Sequence, residues 1–504
     1  MSLKGNVLAN YLGQGYVAVV GVVTLPLYLR FLGAEAYGLV GFFATLQAWL
    51  LLMDLGMSPT LSREVVRFRA GAAGAGELLA LVRRFEWLFL GLGVLLFALV
   101  GFGSDAIAHR WLRLERLDPG EVSRCVVLMG GMVSLRWLAG LYRGGLLGME
   151  RQVWVNGAAV TVASLRYLGA LVLLAWVSTA PAVFFEYQMV VAVIEAGIFG
   201  WRFRSLLPAG RPGVAGVEWP RILGFAGYSA YLSAIWVLLT QVDKLILSRL
   251  LPLGEYGYYA TAVVAASAIQ ALSGPISTAF LPRITYLHSQ GNDEELRSLY
   301  STSTQVTVAI TAAFSGVLAF FAHPVLMAWI NVPATAGSVS RVLVWYALGN
   351  GILSVAAFQY YLQYAFGQLR PHVIFNTVLV LLSVPAISLA SVRYGAVGAG
   401  GAWFGLTFLS FLIWPPMVHR RLLPGFHPGW MTRDILPVVA ATTLFLGGVR
   451  LLGIPFEELG RAGNVLALAG ITAAALTVNV LCSPACRGII RNGVAGYLKA
   501  RSAS

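Results

Sequence analysis

A small set of charged side chains falls inside apolar runs that are long enough to cross a lipid bilayer. A charge at that depth is costly unless it faces a partner or a water-filled cavity, so these groups are the candidates for chemistry. A buried guanidinium or ammonium group can neutralise an anion, and a buried carboxylate can bind a cation or hold an arginine in place. The basic candidates are Arg166, Arg136 and Lys244, and the acidic candidates are Asp54, Glu195 and Asp243.

The two arginines differ in depth. Arg166 lies near the middle of its apolar run, from which its side chain cannot easily reach either interface. We therefore expect it to face a carboxylate or a water-filled cavity. Arg136 lies about a turn and a half from the predicted inner end of its run, so snorkelling to the interface competes with burial there.

The spacing of neighbouring polar residues indicates their direction. Gln188 and Glu195 are seven residues apart and share one helix face, whereas Glu186 lies off that face, near the predicted outer interface. Asp243 and Lys244 are adjacent, and we expect their charges to point to different sides of the helix.

Uncharged polar residues form two stripes. Asn6, Asn10 and Gln14 recur every four residues on the first helix, and Gln359 and Gln363 do the same on a later one. Such amides can bind the polar part of a substrate, and they can equally form hydrogen bonds between helices. Asn10, Gln14 and Gln359 are therefore candidate substrate contacts, with helix packing as the alternative.

The composition predicts an all-α polytopic membrane protein. Of the 504 residues, 58% are hydrophobic and only 11% are charged, and the mean hydropathy is +0.77. A soluble domain carries about a quarter of its residues as charged groups. Backbone groups in lipid must be paired internally, and the apolar runs are too long for barrel strands, so the spans are helices.

About fourteen transmembrane helices are predicted. Of the 35 lysines and arginines, 22 fall in segments on the side of the termini and 10 on the opposite side. The net charge of +14 therefore reflects orientation, with both termini in the cytoplasm, rather than nucleic-acid binding. The predicted spans are 9–31, 37–57, 85–103, 122–142, 157–177, 182–201, 223–248, 256–280, 304–323, 342–365, 372–391, 397–418, 435–453 and 463–482.

A repeat divides the chain. The pattern Arg30-x-Leu32-x4-Tyr37-Gly38 recurs 219 residues later as Arg249-x-Leu251-x4-Tyr256-Gly257. Internal repeats of several helices are common in transporters. We predict a six-helix lobe over 1–201, a linker over 202–221 and a second six-helix lobe over 222–420. Residues 421–504 would add two helices and a basic tail.

Signals for an enzyme or a metal centre are absent from the sequence. There is no phosphate-binding P-loop, no H-E-x-x-H and no G-x-S-x-G pattern. The three cysteines, Cys125, Cys482 and Cys486, lack a neighbouring histidine and suggest neither a metal site nor a disulfide framework. We expect no enzymatic activity and no cofactor, so that any driven transport would use an ion gradient, of H⁺ or Na⁺.

Several motifs, taken in their order along the chain, resemble those of one family. They include Leu32–Gly38, Asp54-Leu55-Gly56, Tyr142–Glu150, Gln241–Leu247 and Gly395–Ala399. Together they resemble the polysaccharide-biosynthesis flippases of the Wzx type, in the multidrug/oligosaccharidyl-lipid/polysaccharide exporter superfamily. The resemblance covers most of residues 1–420. Two further C-terminal helices are similar to those of the lipid II flippase and leave the subfamily open.

The resemblance implies two lobes around a central cavity that opens alternately to each side. Family members move undecaprenyl-diphosphate-linked oligosaccharides to the periplasmic leaflet of the inner membrane, for O-antigen and other surface polysaccharides. Arg166, Arg136 and Lys244 would then neutralise the diphosphate, and Asp54, Glu195 or Asp243 would couple a cation or hold the arginines. Implied partners are the lipid-linked oligosaccharide, membrane lipids, a polysaccharide polymerase and a chain-length regulator.

Besides a non-transporting assembly or scaffold protein that kept the fold, two alternatives stay open at this point. A cation-coupled multidrug exporter of the same superfamily would have a cavity richer in carboxylates and aromatic rings. An oligosaccharide polymerase or ligase would act on the same substrates, but it typically needs a large periplasmic loop, and the longest predicted outer loop is short.

Overall fold

The computed structural model of the chain describes residues 3–210, 219–330 and 336–491. Within these residues every regular element is helical, apart from one isolated bridge between Arg113 and Pro252. The predicted all-α class is confirmed. Two compact units, Met1–Ala260 and Thr261–Ser504, are described separately. The division into two six-helix lobes stays a prediction.

Sixteen α-helices form the described part of the chain, joined in places by short 3₁₀ or π-helical turns. The turns are Leu51–Asp54, Ile107–Trp111, Leu165–Gly169 and Trp430–Ile435. The helices are α1 (Leu3–Leu50), α2 (Met57–Arg69), α3 (Ala75–Ala106), α4 (Pro119–Gly148), α5 (Gln152–Ser164), α6 (Ala170–Trp176), α7 (Pro181–Ser205), α8 (Trp219–Leu250), α9 (Leu253–Ser289), α10 (Asp293–Phe320), α11 (Ala322–Ile330), α12 (Ala336–Ala365), α13 (Arg370–Leu422), α14 (Phe426–Gly429), α15 (Leu436–Leu451) and α16 (Gly460–Cys482).

Eleven helical stretches of the described residues are long and apolar enough to cross a membrane. Two of them, Gly13–Asp54 and Arg370–Leu422, contain a glycine with non-helical backbone angles, Gly33 and Gly395, and each holds two predicted spans. The predicted span 256–280 lies on α9. The fold therefore agrees with about fourteen spans, and the chain is a multi-pass membrane protein.

The segment between the second and third predicted spans is also largely helical. The stretch 58–84 contains most of α2 and the beginning of α3. Helix α2 is amphipathic: Leu61 and Val65 are fully buried, whereas Arg69 is exposed. A helix of 13 residues is too short to cross a bilayer, so a search for apolar spans does not find it.

Helix α4 is central to the first unit and packs against α2, α3 and α7. Its N-terminus is capped by Asp118, whose carboxylate accepts from the backbone N–H of Glu121 at 2.9 Å. At its other end, a Cβ on Gly144 would lie 2.6 Å from the carbonyl oxygen of Ser58. Glycine there lets the backbones of α2 and α4 touch.

Helix α10 is central to the second unit, where it packs against α12, α15 and α16. Asn479 of α16 donates to the carbonyl oxygen of Ala309 at 2.8 Å and accepts from the hydroxyl of Thr442 at 2.6 Å. The side chain of Asn479 is fully buried. Hydrogen bonds between buried polar groups therefore join the two C-terminal helices to α10.

The Tyr-Gly repeat brings two helix starts together inside the first unit. A Cβ added to Gly38 would lie 2.2 Å from the carbonyl oxygen of Leu253, and one added to Gly257 would lie 2.4 Å from that of Ala34. Residues 34 and 38 correspond to residues 253 and 257 in the repeat. The same contact is thus made twice, once from each copy, and the backbones are too close for any residue but glycine.

Candidate functional site

The charged residues of the first unit converge on the carboxylate of Glu195 in α7. Arg166 donates a hydrogen bond from Nη2 to Oε2 of Glu195 at 2.7 Å, and Nε of Arg136 lies 3.8 Å from the same oxygen. The side chains of Arg136, Arg166 and Glu195 are 9%, 24% and 19% exposed. We call these three residues the arginine cluster. Helices α4 and α7 and the turn Leu165–Gly169 bring its two cations and one anion together.

The arginine cluster has more hydrogen-bond donors than acceptors. Nη1 of Arg136 donates to Oε1 of Gln47 at 2.8 Å, and its guanidinium lies over the ring of Phe43. Nε and Nη2 of Arg136 and Nε of Arg166 are buried without an acceptor in the described part of the chain. Buried donors without acceptors are uncommon in folded proteins. With one net positive charge and open donors, the cluster is suited to bind an anionic group.

Helix α7 contacts Arg166 twice from one face, as the spacing of Gln188 and Glu195 predicts. Nε2 of Gln188 donates to the backbone carbonyl of Arg166 at 2.9 Å, and Glu195, about two helical turns later, forms the ion pair with its guanidinium. Glu186, off this face, pairs instead with Arg124, and both side chains are exposed. The same helix therefore carries a half-buried carboxylate at the cluster and an exposed one outside it.

Arg136 is buried rather than snorkelling to an interface. Helix α4 continues to Gly148, beyond the inner end predicted at residue 142. Arg136 is therefore farther from the helix end than predicted, and Gln47, Phe43 and Glu195 surround its guanidinium.

The expected opposite orientation of Asp243 and Lys244 is wrong. Nζ of Lys244 lies 3.4 Å from Oδ1 of Asp243 and donates to the carbonyl oxygen of Thr240. Oδ2 of Asp243 accepts from the hydroxyl of Tyr259 at 2.8 Å, and the aspartate side chain is 1% exposed. The flexible four-carbon stem of lysine lets its ammonium group fold back along the helix and reach the adjacent carboxylate.

Two other predicted site residues of the first unit, Asp54 and Gln14, are not among the contacts of the arginine cluster described above. Oxygens of Asp54 accept from the backbone N–H of Ser58 at 3.3 Å and from its hydroxyl at 2.5 Å, so Asp54 pairs with the first turn of α2. Gln14 is exposed on α1. The side chains of Asn10 and Asn6 lie outside the described residues.

In the second unit, Gln359 is enclosed in the core. Its side chain is fully buried, and Nε2 donates to the hydroxyl of Tyr300 at 3.0 Å. The same hydroxyl lies 3.0 Å from Nε2 of His419, and Gln363 donates to the carbonyl oxygen of Gln359 at 2.9 Å. These contacts correspond to the helix-packing alternative for the glutamine stripe.

Gln47 and Tyr28 were not predicted as site residues. Gln47 is a single amide inside the predicted span 37–57 and belongs to no four-residue stripe, so the criterion that selected Gln359 does not find it. Tyr28 donates to the carbonyl oxygens of Arg166 and Tyr167, 138 and 139 residues away. Nothing in the sequence distinguishes it from other tyrosines of apolar helices.

Metal ligands do not converge in the described part of the chain. There, no group of three or more His, Cys, Asp or Glu side chains could hold a metal ion. The three cysteines are free thiols, and Cys125 and Cys486 are buried.

Comparison of the sequence with known proteins gives one family and distant relatives. Residues 3–288 match the family described as "Polysaccharide biosynthesis protein". The chain is 20% identical over 295 residues to the "Putative O-antigen transporter" of Shigella flexneri, which covers 56% of this chain and 67% of the relative.

Two solved structures share the fold. One is "Lipid II flippase MurJ, inward closed conformation", with a TM-score of 0.70 and 14% identity over 94% of this chain and 98% of that one. The other is a multidrug resistance MATE family transporter of the MOP superfamily in an inward-facing conformation. Its TM-score is 0.62, with 12% identity over 80% of this chain and 94% of that one. At these identities the likeness concerns the fold alone.

Proposed function

The chain belongs to the polysaccharide biosynthesis protein family, and from this premise we propose that it is a flippase for undecaprenyl-diphosphate-linked oligosaccharide. It would move this lipid from the cytoplasmic to the periplasmic leaflet by alternating access, as a step in surface-polysaccharide synthesis. The name of the Shigella flexneri relative and the MurJ-like fold support the proposal.

The observation that carries the proposal is the set of open donors in the arginine cluster. A diphosphate cannot cross hydrocarbon without neutralisation, whereas its lipid tail can stay in the bilayer. Arginine presents several N–H groups in a plane and can bind a phosphate through two of them. Arg136 and Arg166 together offer three buried N–H-bearing nitrogens without an acceptor among the described residues.

Glu195 would pair with Arg136 and Arg166 when substrate is absent. Its carboxylate contacts the two arginines that we assign to the diphosphate, so the two anions would compete for the same cations. Binding of H⁺ or Na⁺ to Glu195 would release the arginines and couple transport to an ion gradient. Lys244 is paired with Asp243 and would reach substrate only if that pair opened.

The proposal also covers the location of the protein, its orientation in the membrane and its partners. We place the protein in the inner membrane with both termini in the cytoplasm, because the basic residues concentrate in the segments on that side. A polysaccharide polymerase and a chain-length regulator would use the lipid-linked oligosaccharide after it reaches the outer leaflet.

A translocation assay in proteoliposomes tests the function. A fluorescent undecaprenyl-diphosphate oligosaccharide is inserted, and a quencher that cannot cross the bilayer reports movement between leaflets. Wild type should translocate the lipid, Arg166→Ala should not, and Arg166→Lys should do so partly. Arg124→Ala, which removes an exposed arginine of the same unit, serves as the matched control.

Two outcomes would contradict the proposal. Normal translocation by correctly inserted Arg166→Ala would remove the arginine cluster from the mechanism. No translocation of the lipid by wild type, with uptake of a cationic dye under an ion gradient, would favour the multidrug exporter.

A further inference from the structure

The helical stretch that carries Arg166 is interrupted by a π-helical turn, Leu165–Gly169, between α5 and α6. Such a turn contains an extra residue, so the regular pattern of backbone hydrogen bonds is broken locally. A carbonyl oxygen without a donor is costly inside a membrane-spanning segment, and a side chain must then supply the donor. Such π-helical turns occur frequently at functional sites, and this one holds Arg166 of the arginine cluster, where we propose that the diphosphate binds.

Three side chains supply donors to the carbonyl oxygens of this turn. The hydroxyl of Tyr28 lies 3.1 Å from the carbonyl oxygen of Arg166 and 2.9 Å from that of Tyr167. Nε2 of Gln188 donates to the carbonyl oxygen of Arg166 at 2.9 Å. The hydroxyl of Tyr187 donates to the carbonyl oxygen of Leu165 at 2.8 Å.

These donors come from helices on either side of the turn. Tyr28 belongs to α1 and Gln188 to α7, and their side chains are nearly fully buried. Helix α7 also supplies Glu195, so it holds both the backbone and the guanidinium of Arg166. The backbone direction at Arg166 determines where its side chain begins, and Tyr28 and Gln188 both act on that backbone.

We propose that Tyr28 and Gln188 are positioning residues. They hold the π-helical turn so that the guanidinium of Arg166 stays in the arginine cluster. The inference rests on the proposed function. It assigns a role in substrate affinity to two residues whose hydrogen bonds in this site go to the backbone of Arg166 and Tyr167. Removal of either donor lets the turn relax toward a regular helix and rotates Arg166 away from Arg136 and Glu195.

The first test measures binding of undecaprenyl diphosphate to the full chain in lipid nanodiscs. Tyr28→Phe removes one hydroxyl and should weaken binding three- to tenfold, which is the range expected for one buried hydrogen bond. Gln188→Met should act in the same direction and provides a second variant if Tyr28→Phe does not fold. Tyr256→Phe is the matched control, since that buried hydroxyl contacts Thr45 and not the turn. It should leave the affinity unchanged.

A double-mutant cycle separates positioning from general stability. If Tyr28 acts through Arg166, Tyr28→Phe should have no further effect on affinity in an Arg166→Ala background. Equal losses in the two backgrounds would overturn the positioning role, and so would unchanged affinity for both Tyr28→Phe and Gln188→Met. Unchanged affinity for Arg166→Ala itself would overturn the proposed function and this inference with it, so the two failures can be told apart.

Discussion

Replacing Glu195 by glutamine should destabilise the protein and make it more responsive to an anion. Glu195 is the carboxylate that Arg136 and Arg166 share. Glutamine keeps the size of the side chain and removes its charge. Two guanidinium groups would then remain in a largely buried place without the counter-ion that now holds them.

The expected size of the effect follows from the distances. Unit charges 2.7 Å apart attract by about 6 kcal/mol at an effective dielectric constant of about 20. The second arginine, at 3.8 Å, adds about 4 kcal/mol on the same basis. The cost of removing these ions from water offsets most of this attraction, and breaking a buried pair typically costs about 3–5 kcal/mol. Because solvent reaches 24% of Arg166 and 19% of Glu195, we expect a loss of about 3 kcal/mol.

The assay is thermal unfolding of the purified protein in detergent, with and without pyrophosphate. Glu195→Gln should lower the melting temperature by about 3 °C. Pyrophosphate should raise it by more in the variant than in wild type, because the anion no longer competes with a carboxylate. Glu186→Gln is the control on the same helix. It removes an exposed pair with Arg124, so it should cost less than about 1 kcal/mol.

The reasoning would be refuted by a Glu195→Gln variant as stable as the control. It would also be refuted if pyrophosphate stabilised wild type and variant equally. The first result would mean that the ion pairs contribute little, and the second that the anion binds elsewhere.

Three further predictions concern helix packing at Gly38 and Asn479 and the contact between Asp54 and Ser58. Gly38→Ala should destabilise the fold by about 1–3 kcal/mol, since its Cβ would lie 2.2 Å from a backbone oxygen, whereas Gly101→Ala, with open space around it, should be neutral in the same melting assay. Asn479→Leu should cost about 1–3 kcal/mol because it removes two buried hydrogen bonds between helices, and limited proteolysis should then cut the C-terminal helices first. Asp54→Asn should retain translocation, because an amide oxygen can still accept from Ser58; loss of translocation in a stable Asp54→Asn protein would instead indicate ion coupling there.

Much of the fold could be predicted from local sequence because the bilayer imposes simple rules. Apolar runs of about twenty residues must be helices in lipid, and their number and order follow from the sequence directly. The amphipathic helix α2 was missed because it does not need to cross the membrane. The continuation of α4 past residue 142 was missed because its last turns are rich in glycine and carry Arg143.

The candidate site could be predicted in part. The rule that a charge at mid-span needs a partner or water selects Arg166, Arg136 and Glu195 without a structure. It does not say which carboxylate pairs with which arginine, since they lie on different helices and are separated by 29 residues or more. It also selects Asp54, which has a local contact with Ser58, and the amide stripe selects Gln359, which has a contact in the core.

The sequence by itself therefore determined that this chain is a helical membrane protein with a repeat, and that a few charged groups lie at bilayer depth. These properties depend on the solvent and on helix geometry, which act on each segment separately. Tertiary structure decided that the two arginines share Glu195, that Tyr28 and Gln188 hold the turn at Arg166, and that Gly38 and Gly257 form the same contact twice. Such properties depend on how helices pack, and packing brings together atoms that no local pattern relates.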